Sequence, residues 1–325
     1  MKHWPLVIPT PGSWFMFIDL SFFMDMLMKY TMESMFKVGF GIDLNWMEGS
    51  IEEGTTFVKA FDDANESVCL RYINTFWKLK RALNIGSEAS LKKNIKVIDN
   101  FIHNVLSTKK KLLAMNPDPL IIFWGFKNVK EDILSRFLME SEKNPETMTD
   151  QYLRDIILNF LIAGRDTTAN ALSWFFYMLC KHPLIQEKVA QEVIDINCSH
   201  GNDASVDDFI TTIPDATLEK MHYLHAALTE TLRLYPPVPR ADDIFPDGRK
   251  VKKGDGVAYV AYSMGGPRIC LGKEFAYRQM KIFSIALIRY FRFKLADDTK
   301  IATYRVTFTL QIRGGLQLCA VPRTT

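Results

Sequence analysis

Residues 149–181 read TDQYLRDIILNFLIAGRDTTANALSWFFYMLCK, and this stretch decides the fold class. Thr149 or Asp150 can cap a helix start. His182-Pro183 ends one, because proline lacks an N–H and restricts the residue before it. If continuous, the stretch spans about 50 Å at 1.5 Å per residue. A helix of that length belongs at the centre of a large helical domain. In its middle, Ala163-Gly164-Arg165-Asp166-Thr167-Thr168 breaks local rules. Glycine and paired β-branched threonines are poor helix formers, and an Arg-Asp pair interrupts an apolar run. One reading is a groove, with Gly164 letting a ligand approach the backbone and Asp166 and Thr167 forming a proton relay. The other is a break between two helices, Gly164 ending one and Thr167 capping the next. Taken alone, the segment favours the break.

Working outward, the spacing predicts helices over Leu184–Ile196 and Leu218–Tyr235, the latter stopped by Pro236-Pro237. Upstream, residues 1–18 are proline-rich and irregular. From Asp19 the apolar residues Leu20, Phe23, Met24, Leu27 and Met28 repeat at helical spacing. Further helices are expected over Thr55–Phe61, Val68–Leu83 and Leu91–Leu113. Pro117–Phe126 (PDPLIIFWGF) is apolar enough to be a strand or an exposed patch. The chain then changes character. Val257–Tyr262 reads as a short strand and Lys273–Phe291 as a helix. Tyr304, Val306, Phe308, Leu310 and Ile312 alternate with polar residues, as a half-buried strand does. Gly314-Gly315 and the run Leu316, Leu318, Ala320 complete a hairpin. The expectation is a mainly α fold with a minor β-sheet.

Composition bounds the alternatives. The 325 residues are 48% hydrophobic and 24% charged, which excludes disorder and collagen-like repeats. Forty Lys and Arg against 37 Asp and Glu leave a charge of +3, too mild to argue for nucleic acid as a partner. Five cysteines, odd in number and never spaced as Cys-x-x-Cys, argue against a disulfide framework or zinc ribbon. The longest charge-free stretch, Trp4–Ile18, holds three prolines and falls short of the roughly 20 residues of a membrane span. The expectation is no anchor within this chain.

Two further segments stand out. In Glu230-Thr231-Leu232-Arg233, the acid and base three apart share a helix face and can pair. Apolar neighbours Leu228, Leu232 and Leu234 point to a buried, structural pair. In Gly266-Pro267-Arg268-Ile269-Cys270-Leu271-Gly272, two glycines flank a cysteine ahead of a helix start. Glycines let backbone pass close to something flat, and the positive end of a helix favours a thiolate. Arg268 adds charge suited to an anionic partner. An inert cysteine in a tight loop reads equally well. Two decoys are set aside. His222 and His225 lack a third ligand nearby, so packing outweighs zinc. Trp77–Arg81 (WKLKR) could suggest an aromatic-basic contact, yet it reads equally well as an amphipathic helix with a snorkelling basic face.

Together and in this order, the three segments resemble the cytochrome P-450 family of haem-thiolate monooxygenases. AGRDTT resembles its oxygen-activating central helix, ETLR its Glu-x-x-Arg helix and GPRICLG its cysteine ligand loop. Residues 159–193, 223–239 and 266–283 are similar to plant members that ω-hydroxylate long-chain fatty acids. The resemblance runs from Asp19 to Thr325, a partial domain of that fold. It implies Cys270 as axial thiolate to the iron of haem b. It implies Arg268 on a haem propionate, Gly266 and Gly272 shaping the loop, and Ala163 and Gly164 giving room over the iron. Asp166 and Thr167 would deliver protons to dioxygen, and Glu230 with Arg233 would hold the loop. Electrons would come from NADPH through a separate flavoprotein reductase, at the cytosolic face of the endoplasmic reticulum membrane. Without an anchor, the chain would associate peripherally or remain soluble.

The chain departs from the family pattern in three places. Ser263 stands where the ligand loop has an aromatic residue. AYSMG runs directly into GPRICLG, without the long intervening stretch that completes the Glu-Arg network. The amino-terminal part of the family is also missing. These departures support an alternative, a haem-free, non-catalytic helical remnant of the family.

Overall fold

The structure, a computed structural model, describes residues 16–18, 20–43, 52–71, 74–115, 132–197, 213–237, 243–244, 250–251, 270–299, 302–306, 309–313 and 316–323. It divides into two compact units, one of residues 1–28 and 166–325, the other of residues 29–165. The fold is mainly helical with a small antiparallel sheet.

In the unit of residues 29–165, the end of α1 (Leu20–Ser34) runs into a π-helical turn, Met35–Gly39. Then come α2 (Glu52–Leu70), α3 (Trp77–Leu83), α4 (Ser87–Met115), α5 (Ile133–Lys143) and the first half of α6 (Asp150–Lys181). Phe36, Phe57 and Phe101 form an aromatic core, with Phe57 stacked on Phe101 at 4.3 Å. The helix expected over residues 68–83 is divided. Asn74 N–H closes the end of α2 on Leu70 O, and Asn74 Oδ1 then accepts from Phe76 N–H, a local turn that outcompetes helix continuation. The spacing reading missed α5. Its start is fixed by Asp132, whose Oδ1 accepts from Ser135 N–H at 2.9 Å.

The other unit holds the second half of α6, then α7 (Pro183–Asn197), α8 (Asp215–Lys220), α9 (His222–Leu234) and α10 (Lys273–Ile288). The helix expected over 218–235 is interrupted at Met221, whose ψ of 77° lies outside the helical region and separates α8 from α9. Strands β1 (Met16–Ile18), β4 (Phe291–Leu295) and β7 (Leu318–Pro322) form one sheet in the order β1-β7-β4. Two ladders stand apart, β2 (Asp243–Ile244) with β3 (Lys250–Val251) and β5 (Tyr304–Val306) with β6 (Leu310–Ile312). The last three of the eighteen residues expected to be irregular thus pair, Met16 opposite Ala320 and Ile18 opposite Leu318.

Two strand expectations are corrected. The alternating run 304–312 is two strands, Tyr304 opposite Ile312 and Val306 opposite Leu310. Residues 318–322 pair with β4 and β1 instead of closing a hairpin on β6. Alternation marks faces and leaves partners open. The strand expected over 257–262 and the apolar stretch 117–126 lie outside the described residues.

Gln186, fully buried in α7, ties this unit together. Its amide donates to Leu179 O and Phe293 O and accepts from Phe293 N–H at 2.7 Å.

Candidate functional site

Helix α6 is continuous from Asp150 to Lys181, so AGRDTT does not break it. Tertiary contacts outweigh the roughly 1 kcal/mol that a mid-helix glycine costs. Arg165 is buried and forms a two-pronged ion pair with Asp62 of α2, its guanidinium also lying over the Phe61 ring. Gly164 lies against Met35, and a Cβ built there would meet Met35 Sδ at 2.7 Å. The space left by this glycine is therefore filled by the chain itself, not held open for a ligand.

Ala163, by contrast, is exposed, and so are Asn159 and Ile162. Asn159, Ala163 and Thr167 recur at four-residue intervals, so they share one face of the helix. Thr167 and Asp166 are half-buried. One turn on, Asn170 is fully buried and donates to Asp166 O at 2.8 Å and to Thr309 Oγ1 at 2.9 Å. Trp174 stacks on Tyr235 at 4.0 Å and donates Nε1–H to Leu310 O. The spacing reading did not single out Asn170 or Trp174. Their signal is a polar donor within an apolar helix, which needs a partner when buried.

Cys270 carries a free, exposed thiol three residues before Lys273, the first residue of α10, beside a fully exposed Leu271. Its carbonyl accepts from Lys273 N–H, and Gly272 O accepts from Ala276 N–H, which seats the loop on the helix start. Gly272 has φ −85°, open to any residue, and among the described residues a Cβ there would meet only Cys270 Sγ, at 3.9 Å. Its glycine thus leaves room beside the sulfur and answers no backbone demand. Gly266, Arg268 and Ser263 lie outside the described residues.

Glu230 and Arg233 do pair, through two hydrogen bonds of 2.6 and 2.8 Å. Arg233 holds the Glu230 carboxyl below the usual carboxylate range, chiefly through the hydrogen bond. The expected burial is not seen, since the side chains are 55% and 50% exposed. The apolar neighbours Leu228 and Leu232 are buried on the opposite side of α9, which turns the pair outward. The decoy His225 stacks on Tyr277, centroids 4.5 Å apart.

A reachable thiol ahead of a helix and an uncovered stripe on α6 each fit a flat iron-porphyrin, the first as a soft donor and the second as clearance. The cytochrome P-450 family profile matches residues 21–265 and 245–319. Among curated relatives, the chain is 40% identical to cytochrome P-450 704C1 of Pinus taeda, over 92% of this chain and 66% of that protein. It is 38% identical to 704B1 and 34% identical to 86B1, both of Arabidopsis thaliana, over 92% and 94% of this chain. Those two matches cover 69% and 61% of the relatives, so the chain spans about two thirds of the proteins it matches. The first alignment runs over 353 positions, yet 92% of 325 residues is about 299. About 54 of its positions therefore face no residue of this chain. The two profile matches overlap at 245–265, just before Gly266.

Proposed function

Because the chain belongs to the cytochrome P-450 family, we propose that it is a haem-thiolate monooxygenase acting on a lipid-like substrate, with fatty acid ω-hydroxylation as its reaction. The observation that carries this reading is Cys270, a free and exposed thiol at the start of α10 within the profile match 245–319. When bound, haem supplies dioxygen activation, and a thiolate ligand favours O–O cleavage. Cys270 Sγ would hold the haem iron, Arg268 would pair with a propionate, and the small residues Gly266 and Gly272 would leave room for the ring. Ala163 leaves clearance on α6. The Thr167 hydroxyl and the Asp166 carboxylate hold protons and pass them on along that face. The balance is that of a mixed-function oxidation. One oxygen atom of O2 enters a substrate C–H bond, and the other leaves as water with two electrons and two protons. The electrons come from NADPH through a separate reductase, as the sequence lacks the dinucleotide fingerprint Gly-x-Gly-x-x-Gly. The likeness of 159–193 and 223–239 to plant fatty acid ω-hydroxylases supports the substrate class, and the same likeness supports the endoplasmic reticulum membrane as location.

A second reading, a haem-free and non-catalytic member of the family, is favoured by two observations. About 54 positions of the first relative have no counterpart here, and the Glu230–Arg233 pair stands exposed without a third partner among the described residues. One experiment decides between them. Reduced protein reconstituted with haem and exposed to carbon monoxide should show a strongly red-shifted Soret band, and Cys270→Ala should abolish it. Absence of that band in the parent chain leaves the second reading standing.

A further inference from the structure

His225 and Thr229, one turn apart on α9, meet the same residue of α10. The His225 ring stacks on Tyr277 with centroids 4.5 Å apart, and Thr229 Oγ1 lies 2.9 Å from the Tyr277 hydroxyl. Thr229 commits its one hydroxyl proton to His225 O, at 2.8 Å. Tyr277 O–H is therefore the donor of the second bond and Thr229 Oγ1 its acceptor. Residue 225 thus grips Tyr277 twice, by its ring directly and by its carbonyl through Thr229. Tyr277 itself is only 5% exposed. It follows the first turn of α10, the turn on which the Cys270 loop is seated. Lys273 N–H reaches Cys270 O at 3.2 Å, and Ala276 N–H reaches Gly272 O at 2.8 Å. Two other side chains tie α10 to α8. Arg278 pairs with Asp215, but both side chains stand largely in solvent, so that pair adds little. Lys281, buried, donates to Leu218 O at 2.6 Å, one turn farther from the loop than Tyr277.

We infer that Tyr277 is a positioning residue for Cys270, holding the start of α10 on α9 so that the sulfur keeps the place an axial ligand needs. The inference rests on the haem-thiolate reading above. A loop hung from the first turn of a helix can be placed no better than that helix. Apolar burial alone would let α10 slide or roll along its neighbour, because the hydrophobic effect has no direction. A hydrogen bond and an aromatic pair do have preferred geometries, and together they fix one register. Phenylalanine would bury as much apolar ring, so the hydroxyl contributes direction. His225, which has no use as a zinc ligand, supplies the other half of the grip.

The test compares variants by two readouts. In the haem-free full chain, hydrogen–deuterium exchange is read at the Lys273 and Ala276 amides, which close the Cys270 loop on α10. Tyr277→Phe keeps the stacked ring and removes one hydrogen bond, so exchange there should rise about five-fold. Thr229→Val should raise it likewise, whereas Thr229→Ser keeps the acceptor and should hold the parent rate. Lys281→Met is the control for general loosening, and should lower the urea midpoint without moving these two amides. In the haem-reconstituted, reduced chain under carbon monoxide, Tyr277→Phe should bind as much haem as the parent with a smaller share in the red-shifted Soret band. Three outcomes overturn the inference. They are exchange unchanged in Tyr277→Phe, raised exchange with an unchanged band share, and equal changes in Lys281→Met. The last would make Tyr277 one structural contact among several. If Tyr277→Phe fails to fold, Thr229→Val against Thr229→Ser reads the same bond. A parent chain without the red-shifted band defeats the haem-thiolate reading, while the exchange arm still decides whether Tyr277 places Cys270.

Discussion

At position 164 a hydrogen stands where any other residue would place a carbon 2.7 Å from Met35 Sδ. Gly164→Ala gains helix propensity of up to about 1 kcal/mol, but forcing a methyl into a filled site costs about 1–3 kcal/mol. The expected result is a net loss on the order of 1 kcal/mol. In a Met35→Ala background the same change fills space and should stabilise. Urea midpoints of the four proteins check this, and an equal effect in both backgrounds would refute the contact. The sequence marked this position as irregular without giving the reason. Glycine is unusual in a helix whatever it faces, and Met35 arrives from far upstream, where periodicity carries no information about tertiary partners. The open face four residues apart, Ala163 and Thr167, was legible only as composition. Which of two adjacent small residues is covered is decided by packing.

Among the elements, α5 shows how one side chain can hold a junction. Asp132 caps α5 through Ser135 N–H and Oγ, and its Oδ2 takes the Lys109 ammonium at 2.8 Å. Both ionic side chains are buried, and Gly41, at φ 63°, makes room, since a Cβ there would sit 2.5 Å from Lys109 Nζ. Asp132→Ala should cost about 3–5 kcal/mol, because it strands a buried ammonium and uncaps a helix. Asp132→Asn keeps the cap acceptor and should cost less. Thermal denaturation of both variants orders them, and equal losses would sink the account. The long helix α4 was legible because apolar spacing persists over many turns, whereas the continuity of α6 through Gly164 was not, since the irregular residues AGRDTT favoured a break. The divisions at Asn74 and Met221 were not, as each rests on one residue's backbone. Strand faces were legible at 304–312, whereas partners were not, because pairing is fixed by contacts between distant parts of the chain.

For the whole molecule, the informative feature is the exposed Glu230–Arg233 pair. A carboxylate and guanidinium in water gain little from each other. Arg233 depresses the Glu230 carboxyl, so any stabilisation exists above the ordinary glutamate pKa and fades as pH falls through the lowered value. With both groups in solvent, Glu230→Gln should leave the urea midpoint at neutral pH where it was. In a chain with the relatives' additional stretch restored before Gly266, the same substitution should lower the midpoint clearly. No difference between the two backgrounds would place that stretch elsewhere. Family membership was legible from three short motifs because their order is improbable by chance. The exposure of the Glu-Arg pair was not, since burial is decided by tertiary packing that helix spacing does not report.

The sheet β1-β7-β4 places the last of its three strands in sequence between the other two. On the ribosome, Met16–Ile18 and Phe291–Leu295 must wait with open edges until Leu318–Pro322 leaves the exit tunnel. A premature stop codon upstream of Leu318 would yield two orphaned strands instead of a smaller sheet, and such strands are what cellular quality control captures.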